Sequence, residues 1–136
     1  MSKSNYLENE LLEFIFNAVA AGFAADTQFY IALHTADPGE AGDQTTNEVA
    51  YTSYARVSVA RSVAGWTVTA DTAVNAADIP FPTCTGGSTT ATHGSVGRLA
   101  SGAGEILYKG ALGAPLNISN LIRPIIPAGD ANFTEA

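Results

Sequence analysis

Two histidines, a run of acidic residues and a lone cysteine are the side chains of this 136-residue chain best suited to chemistry. His34 and His93 could each act as a general base beside a serine, as in a hydrolase triad. No Gly-x-Ser-x-Gly motif is present to expose a nucleophilic serine, and serines are plentiful by composition alone. We therefore predict structural, hydrogen-bonded or solvent-facing histidines, no catalytic residues and no enzymatic activity.

The polar segment from Ala36 to Ala50 contains four carboxylates, which are Asp37, Glu40, Asp43 and Glu48. Oxygen-rich loops can bind calcium, but this spacing does not follow the EF-hand pattern. We predict a solvated loop with no metal, and contact with a partner subunit stays open as its other role. Cys84 has no neighbouring base in the sequence, so a reactive thiol is not expected, and one cysteine cannot build a metal centre. No cofactor is predicted.

The composition indicates strands joined by many turns. Charged residues make up only 14% of the chain, with 13 glycines and six prolines, against a typical charged share of about 25%. Such a surface suits packing against other subunits. The net charge of −7 disfavours binding to phosphate backbones or anionic lipid, so neither nucleic acid nor membrane is an expected partner. The first residues lack the pattern of a signal peptide, which favours a cytoplasmic setting for synthesis.

One amphipathic helix is predicted near the N-terminus, from about Asn5 to Ala21. Asn5 and Glu8 have the spacing of a capping box, and Gly22 is expected to end the helix. Its apolar residues at helical spacing are Leu7, Leu11, Phe14, Ile15, Ala18 and Val19. Packing of this stripe on the helix's own domain is the simpler interpretation, and docking on a neighbouring subunit is the alternative.

The whole chain, residues 1–136, is predicted to form a single β-rich domain, with the helix at its start and the β part from about residue 27 to 136. The clearest strand runs from Thr27 to Pro38, where Phe29, Ile31 and Leu33 alternate with polar or small residues. Further strand-like segments are Tyr54–Arg61, Trp66–Thr69, Thr72–Phe81, His93–Ala100, Glu105–Leu112 and Asn117–Ile126. Trp66–Thr69 is expected to form a hairpin with the segment before it, and Ser101–Gly104 to turn a second hairpin. We predict a mainly β fold: an antiparallel β-sandwich or jelly-roll-like barrel with one N-terminal α-helix.

Several short motifs occur in an order and spacing that resemble a family of small tailed-bacteriophage virion structural proteins. They are Ser4–Asn9, Tyr30–Pro38, Tyr54–Val57, Trp66, Ala77–Pro82, Leu107–Leu112 and Ile126–Gly129. Members of this family are described as head-decoration or tail-fibre-like proteins. The resemblance implies a non-enzymatic virion component, assembled in the host cytoplasm.

Two functions follow from the resemblance. The first is a capsid decoration (cement) protein that binds the major capsid protein, or other virion proteins, and forms a homo-oligomer, with a trimer favoured. The second is a tail or fibre protein that contacts the host surface, with the Ala36–Ala50 loop as a candidate contact. In either case the helix and the acidic loop are the expected working surfaces. The candidate interface residues are Tyr6, Leu7, Leu11, Asp37, Glu40 and Asp43.

Overall fold

The protein is described by a computed structural model that covers residues 1–135, which contain one helix and ten strands. The helix α1 is Asn5–Asn17. The strands are β1 Ser2–Lys3, β2 Gln28–His34, β3 Val57–Ala60, β4 Trp66–Thr69, β5 Thr72–Asn75, β6 Ile79–Pro80, β7 Thr89–Gly97, β8 Ile106–Ile118, β9 Ile125–Ile126 and β10 Asn132–Thr134.

Every strand pairing is antiparallel. Five strands form the main sheet in the order β1-β8-β7-β2-β3, three form a second sheet in the order β10-β5-β4, and β6 pairs with β9. Residues of the two larger sheets share one hydrophobic core, which includes Ile31 and Val96 from the first and Phe133 from the second. The predicted mainly β fold with one N-terminal helix is confirmed, in its sandwich form.

Strand β2 lies between β3 and β7, as its alternating pattern suggested. Ile31 pairs with Val96, which in turn pairs with Tyr108, so these three side chains share the core face. On the opposite face Ala32 and His34 are also fully buried. The segment after β2 covers this face, where the Thr46 carbonyl lies 2.8 Å from the His34 ring and the Gln44 side chain lies against Gly97. Strand β2 is therefore buried on both sides along its second half.

The helix is shorter than predicted and starts from a different cap. Ser4, not Asn5, is the N-cap, and its hydroxyl accepts the Leu7 N–H at 3.2 Å. The helix ends because Ala18 adopts a left-handed conformation with φ of 55°, so the predicted end near Ala21 is wrong. Gly22 serves another purpose, because a Cβ there would lie 2.7 Å from the Tyr6 hydroxyl. The glycine lets the chain after the helix fold back against it.

The strand pairing in the sheets confirms one of the two predicted hairpins and contradicts the other. The hairpin around Ser101–Gly104 is confirmed, with β7 and β8 paired along most of their length. The hairpin expected between Tyr54–Arg61 and Trp66–Thr69 is wrong, because β3 pairs with β2 and β4 pairs with β5. Ala70, with φ of 55°, and Asp71 form the two-residue turn between β4 and β5. A two-residue turn joins neighbouring antiparallel strands directly, so β4 pairs with β5 and not with β3.

The two ends of the described chain meet at one edge of the sandwich. The Met1 amino group donates to the Asn132 carbonyl at 3.2 Å, and the Lys3 ammonium lies 2.7 Å from the Glu135 carboxylate. The same carboxylate accepts a hydrogen bond from the Tyr108 hydroxyl. These contacts connect β1 and β8 of the main sheet to the strand that ends the second sheet.

Candidate interaction surface

His34 and Ser95 have the geometry of a base and a nucleophile, but both lie inside the fold. The His34 Nε2 atom is 2.7 Å from the Ser95 hydroxyl, and Nδ1 is 2.8 Å from the Thr46 carbonyl. A carbonyl only accepts, so Nδ1 carries the proton and Nε2 accepts from the Ser95 hydroxyl. His34 is 0% and Ser95 1% exposed, so no substrate reaches the pair. The arrangement joins the segment after β2 to the sheet, as expected for a hydrogen-bonded structural histidine.

Burial lowers the pKa of His34 below its usual value of 6.5. As the pH falls below about 6.5, the His34 side chain therefore takes up a proton more readily in the unfolded chain than in the folded chain. We expect the free energy of unfolding to decrease between about pH 6.5 and 5, by up to about 1.4 kcal/mol per pH unit. Urea titrations across this range would measure the slope. His34→Asn should flatten it, and an unchanged slope in this variant would contradict the assignment.

The acidic loop is attached to the domain more closely than predicted. Gln44 is fully buried, and its backbone N–H donates to the Gly104 carbonyl at 2.9 Å. Of the four carboxylates, Glu48 forms a bidentate pair with Arg56, at 2.7 and 2.8 Å. Asp37 lies 3.1 Å from the Lys109 ammonium, and hydrogen bonds from Thr45 lower the pKa of Asp43. The carboxylates thus act separately, and within residues 1–135 no three His, Cys, Asp or Glu side chains gather as a metal site would require.

A cluster around Arg98 joins the start of the helix to the segment that follows it. The guanidinium donates to Asp26 at 2.6 Å, to the Gly22 carbonyl at 2.8 Å and to the Tyr6 hydroxyl at 3.1 Å. Glu10 accepts the Gly22 N–H on the same side. The first half of the helix is therefore fixed to its own domain by side chains from distant parts of the sequence.

The predicted interface residues are not equivalent in the structure. Leu7 is 3% exposed and packs inside its own domain, so it offers no surface to a partner. Tyr6 and Leu11 are partly buried, and Tyr6 is engaged by Arg98. Asp37 and Glu40 are exposed, and Asp43 is partly exposed. Contact of these residues with another subunit stays a prediction.

The second half of the helix is apolar and unpacked. Phe14, Ile15 and Phe16 are 60%, 64% and 77% exposed, and Leu12 and Val19 beside them are also exposed. We call these five residues the apolar tip. Packing of the whole stripe on its own domain, the simpler of the two sequence interpretations, is wrong, because within the helix only Leu7 is buried. At about 100° per residue, Leu12, Ile15 and Phe16 lie on one side of the helix and Phe14 on the other. Exposed apolar patches usually mark interaction sites.

A second apolar surface lies between the two larger sheets. This aromatic cleft has a volume of about 600 Å³ and is bordered by side chains from both sheets and from the β3–β4 connection. Its lining includes the apolar side chains of Phe29, Trp66 and Phe133 and the charged side chains of Arg61, Asp71 and Glu135. The Phe133 ring packs edge-on to Trp66 and is tilted on Tyr108, with centroids 5.6 and 5.0 Å apart. No sequence pattern predicted this cleft, because it needs side chains from two different sheets.

Comparison with protein-family models identifies the class as bacteriophage virion structural proteins. The matching family is described as "Podophage GP4 fiber I protein gp80", and the match covers residues 2–134. The chain therefore belongs to this family, which confirms the resemblance found in its motifs. A search of curated proteins found no match. The helix α1 is too short to cross a membrane, and the described residues contain no other helix that could do so.

Proposed function

We propose that this protein is a non-enzymatic structural component of a virion fibre and associates with neighbouring virion subunits through its apolar tip. The single observation that carries the proposal is the exposure of Phe14, Ile15 and Phe16 on a member of a fibre-protein family. Three large apolar side chains in water are costly unless another surface covers them. The function is therefore adhesive: burial of apolar area between subunits, repeated along an assembly.

Capsid decoration is the second candidate, and the same apolar tip favours it, because a groove between capsid subunits would bury those side chains equally well. The family description favours a fibre. Contact of a fibre with the host surface through the Ala36–Ala50 loop is a weaker form of the proposal. Much of that loop is committed to its own domain through Gln44, Glu48 and Val49.

The copy number and position of the protein in purified particles test these proposals. We expect quantitative mass spectrometry to give a few tens of copies or fewer, and electron microscopy of particles labelled with an antibody to place them on a fibre. Hundreds of copies on the head would contradict the fibre proposal and support capsid decoration instead. Absence of the protein from purified particles would overturn both.

A further inference from the structure

We propose that strand β4 of one copy of this chain pairs with strand β4 of a second copy, antiparallel and across a two-fold axis. The second sheet then continues from one copy into the other. Strand β4 ends the order β10-β5-β4, and within residues 1–135 no further strand pairs with it. This surface is separate from the apolar tip, so the inference goes beyond the proposed function and does not depend on it.

The backbone of β4 has hydrogen-bonding groups that point away from its own sheet. The Ala76 N–H donates to the Gly65 carbonyl at 2.9 Å, just before β4 begins to pair with β5. Backbone groups alternate in direction along an antiparallel strand, so the Val68 N–H and C=O point away from β5. The Trp66 carbonyl and the Ala70 N–H point the same way. We call these four the free edge groups, and within residues 1–135 none of them has a partner.

The other sheet edges are covered or interrupted, whereas β4 is open. Strand β1 covers the start of β8, and Pro115 interrupts the rest. At β10 the N-terminal amino group donates to the Asn132 carbonyl at 3.2 Å, and at β3 the Ser62 N–H donates to the Ala60 carbonyl at 2.9 Å. Residues 67–70 are all exposed and include no proline and no charge, the features that usually protect an edge. An open edge of this kind is a template for another strand.

A second copy of β4 matches the free edge groups one for one. With Val68 opposite its own counterpart, the two residues exchange two N–H···O=C hydrogen bonds. The Ala70 N–H of each copy then meets the Trp66 carbonyl of the other, so all four groups are paired. The Trp66 N–H needs no acceptor from the second copy, because it already donates to the Ser62 carbonyl at 3.0 Å. The edge is therefore complementary to itself under two-fold rotation.

Charge favours a second copy in this antiparallel arrangement. The chain has a net charge of −7, but residues 62–70 carry no charge, so two copies can meet here without opposing like charges. Arg61 precedes β4 and Asp71 follows it. Antiparallel pairing directs the acidic end of one strand towards the basic end of the other, whereas parallel pairing would oppose like charges. Each Val68 side chain, 71% exposed in the single copy, also contacts its counterpart.

The contact is small and is expected to be weak in solution. Two four-residue strands bury much less than a standard interface, so we expect a dissociation constant on the order of 1 mM. Copies held side by side in an assembly would pair far more readily, because their effective concentration is high. Val68 and Trp66 both border the aromatic cleft, so the clefts of the two copies would lie next to each other on one face of the shared sheet.

Cysteine crosslinking tests the pairing and its register. Residue 67 of one copy should lie opposite residue 69 of the other, with Cα atoms about 4.5 Å apart, which a disulfide can bridge. Under mild oxidation, a mixture of Thr67→Cys and Thr69→Cys should form the mixed disulfide at least about tenfold faster than Val63→Cys forms its own. Val63 is the control because it is 92% exposed but lies far from its counterpart in the paired strands. The native Cys84 is buried. Equal rates would overturn the pairing.

Two substitutions at Val68 test whether the backbone makes the contact. Val68→Pro removes an edge N–H that β5 does not use, so the hairpin should survive, whereas Val68→Ala keeps that N–H. In NMR spectra, the β4 amide shifts of the wild type and Val68→Ala should change with concentration up to about 1 mM, and those of Val68→Pro should not. A folded Val68→Pro that associates like the wild type would overturn the inference. A protein found on virion fibres that fails both tests would leave the proposed function intact.

Discussion

Replacing Arg56 with alanine is expected to reduce the free energy of unfolding by about 3–5 kcal/mol, the usual cost of leaving one member of a buried ion pair without its partner. The Arg56 side chain is 2% exposed and holds both oxygens of Glu48. It also donates to the Leu99 carbonyl at 3.0 Å and to the Gly102 carbonyl at 2.8 Å, so it fixes the β7–β8 turn to the acidic loop. Guanidinium denaturation of the purified variant would measure the loss.

Two further variants show whether the buried charge is the cause. Replacing both Glu48 and Arg56 with alanine removes the uncompensated carboxylate, so the double variant should lose less than the sum of the single variants. Arg123 is an exposed arginine with one hydrogen bond, to the Phe81 carbonyl at 3.2 Å. Its replacement by alanine should cost no more than about 1.5 kcal/mol. If Arg56→Ala costs no more stability than Arg123→Ala, the Arg56–Glu48 pair behaves as a surface contact.

Gly97→Ala is the second large expected effect, at about 1–3 kcal/mol of lost stability from overpacking. A Cβ at residue 97 would lie 2.2 Å from the Cδ atom of Gln44, whose side chain fills the space beside this glycine. Gln44 is fully buried, and its Oε1 atom accepts the Leu99 N–H at 2.9 Å. Displacing it would leave that donor without its acceptor, which adds to the strain. Thermal or urea unfolding would measure the effect.

A second variant tests whether the Gln44 side chain causes the strain in Gly97→Ala. If the Gln44 side chain is what the new methyl group meets, Gln44→Ala should offset part of the cost of Gly97→Ala, so the two changes together cost less than their sum. Gly113→Ala is the matched control in β8, because nothing lies within 4 Å of a Cβ at that position. We expect it to change stability by no more than about 0.5 kcal/mol. Additive effects at Gly97 and Gln44 would show that the two residues do not compete for space.

Local sequence patterns were sufficient to predict several of the strands and the helix. The alternation from Phe29 to Leu33 and the glycine-rich turn after β7 depend on neighbouring residues only, so β2 and the β7–β8 hairpin were recognised. The helix was recognised for the same reason, since its apolar spacing is a short-range signal. Its end was misplaced because the segment after Asn17 is held by Arg98, which lies about 80 residues further along the chain.

The candidate site was predicted only in outline. The sequence pointed to the helix as a possible anchor, but which of its apolar residues are covered depends on where the sheet ends beneath it. Leu7 is buried whereas Phe14 and Phe16 are exposed, although all three are large apolar residues of one helix. The burial of Gln44 and His34 was equally out of reach, because their partners Leu99 and Ser95 are distant in sequence. The aromatic cleft could not be predicted either, because it forms only where the two larger sheets pack against each other.

The meeting of the chain ends at Lys3 and Glu135 has a practical consequence for labelling. Glu135 also borders the aromatic cleft, so a tag or fluorescent protein joined next to it would lie beside the opening of the cleft, and one joined next to Lys3 would lie close by. Such fusions would obstruct this apolar surface. The exposed turn at Gly87, where φ is +80° and nothing lies within 4 Å of a Cβ, is a better insertion point for a small epitope.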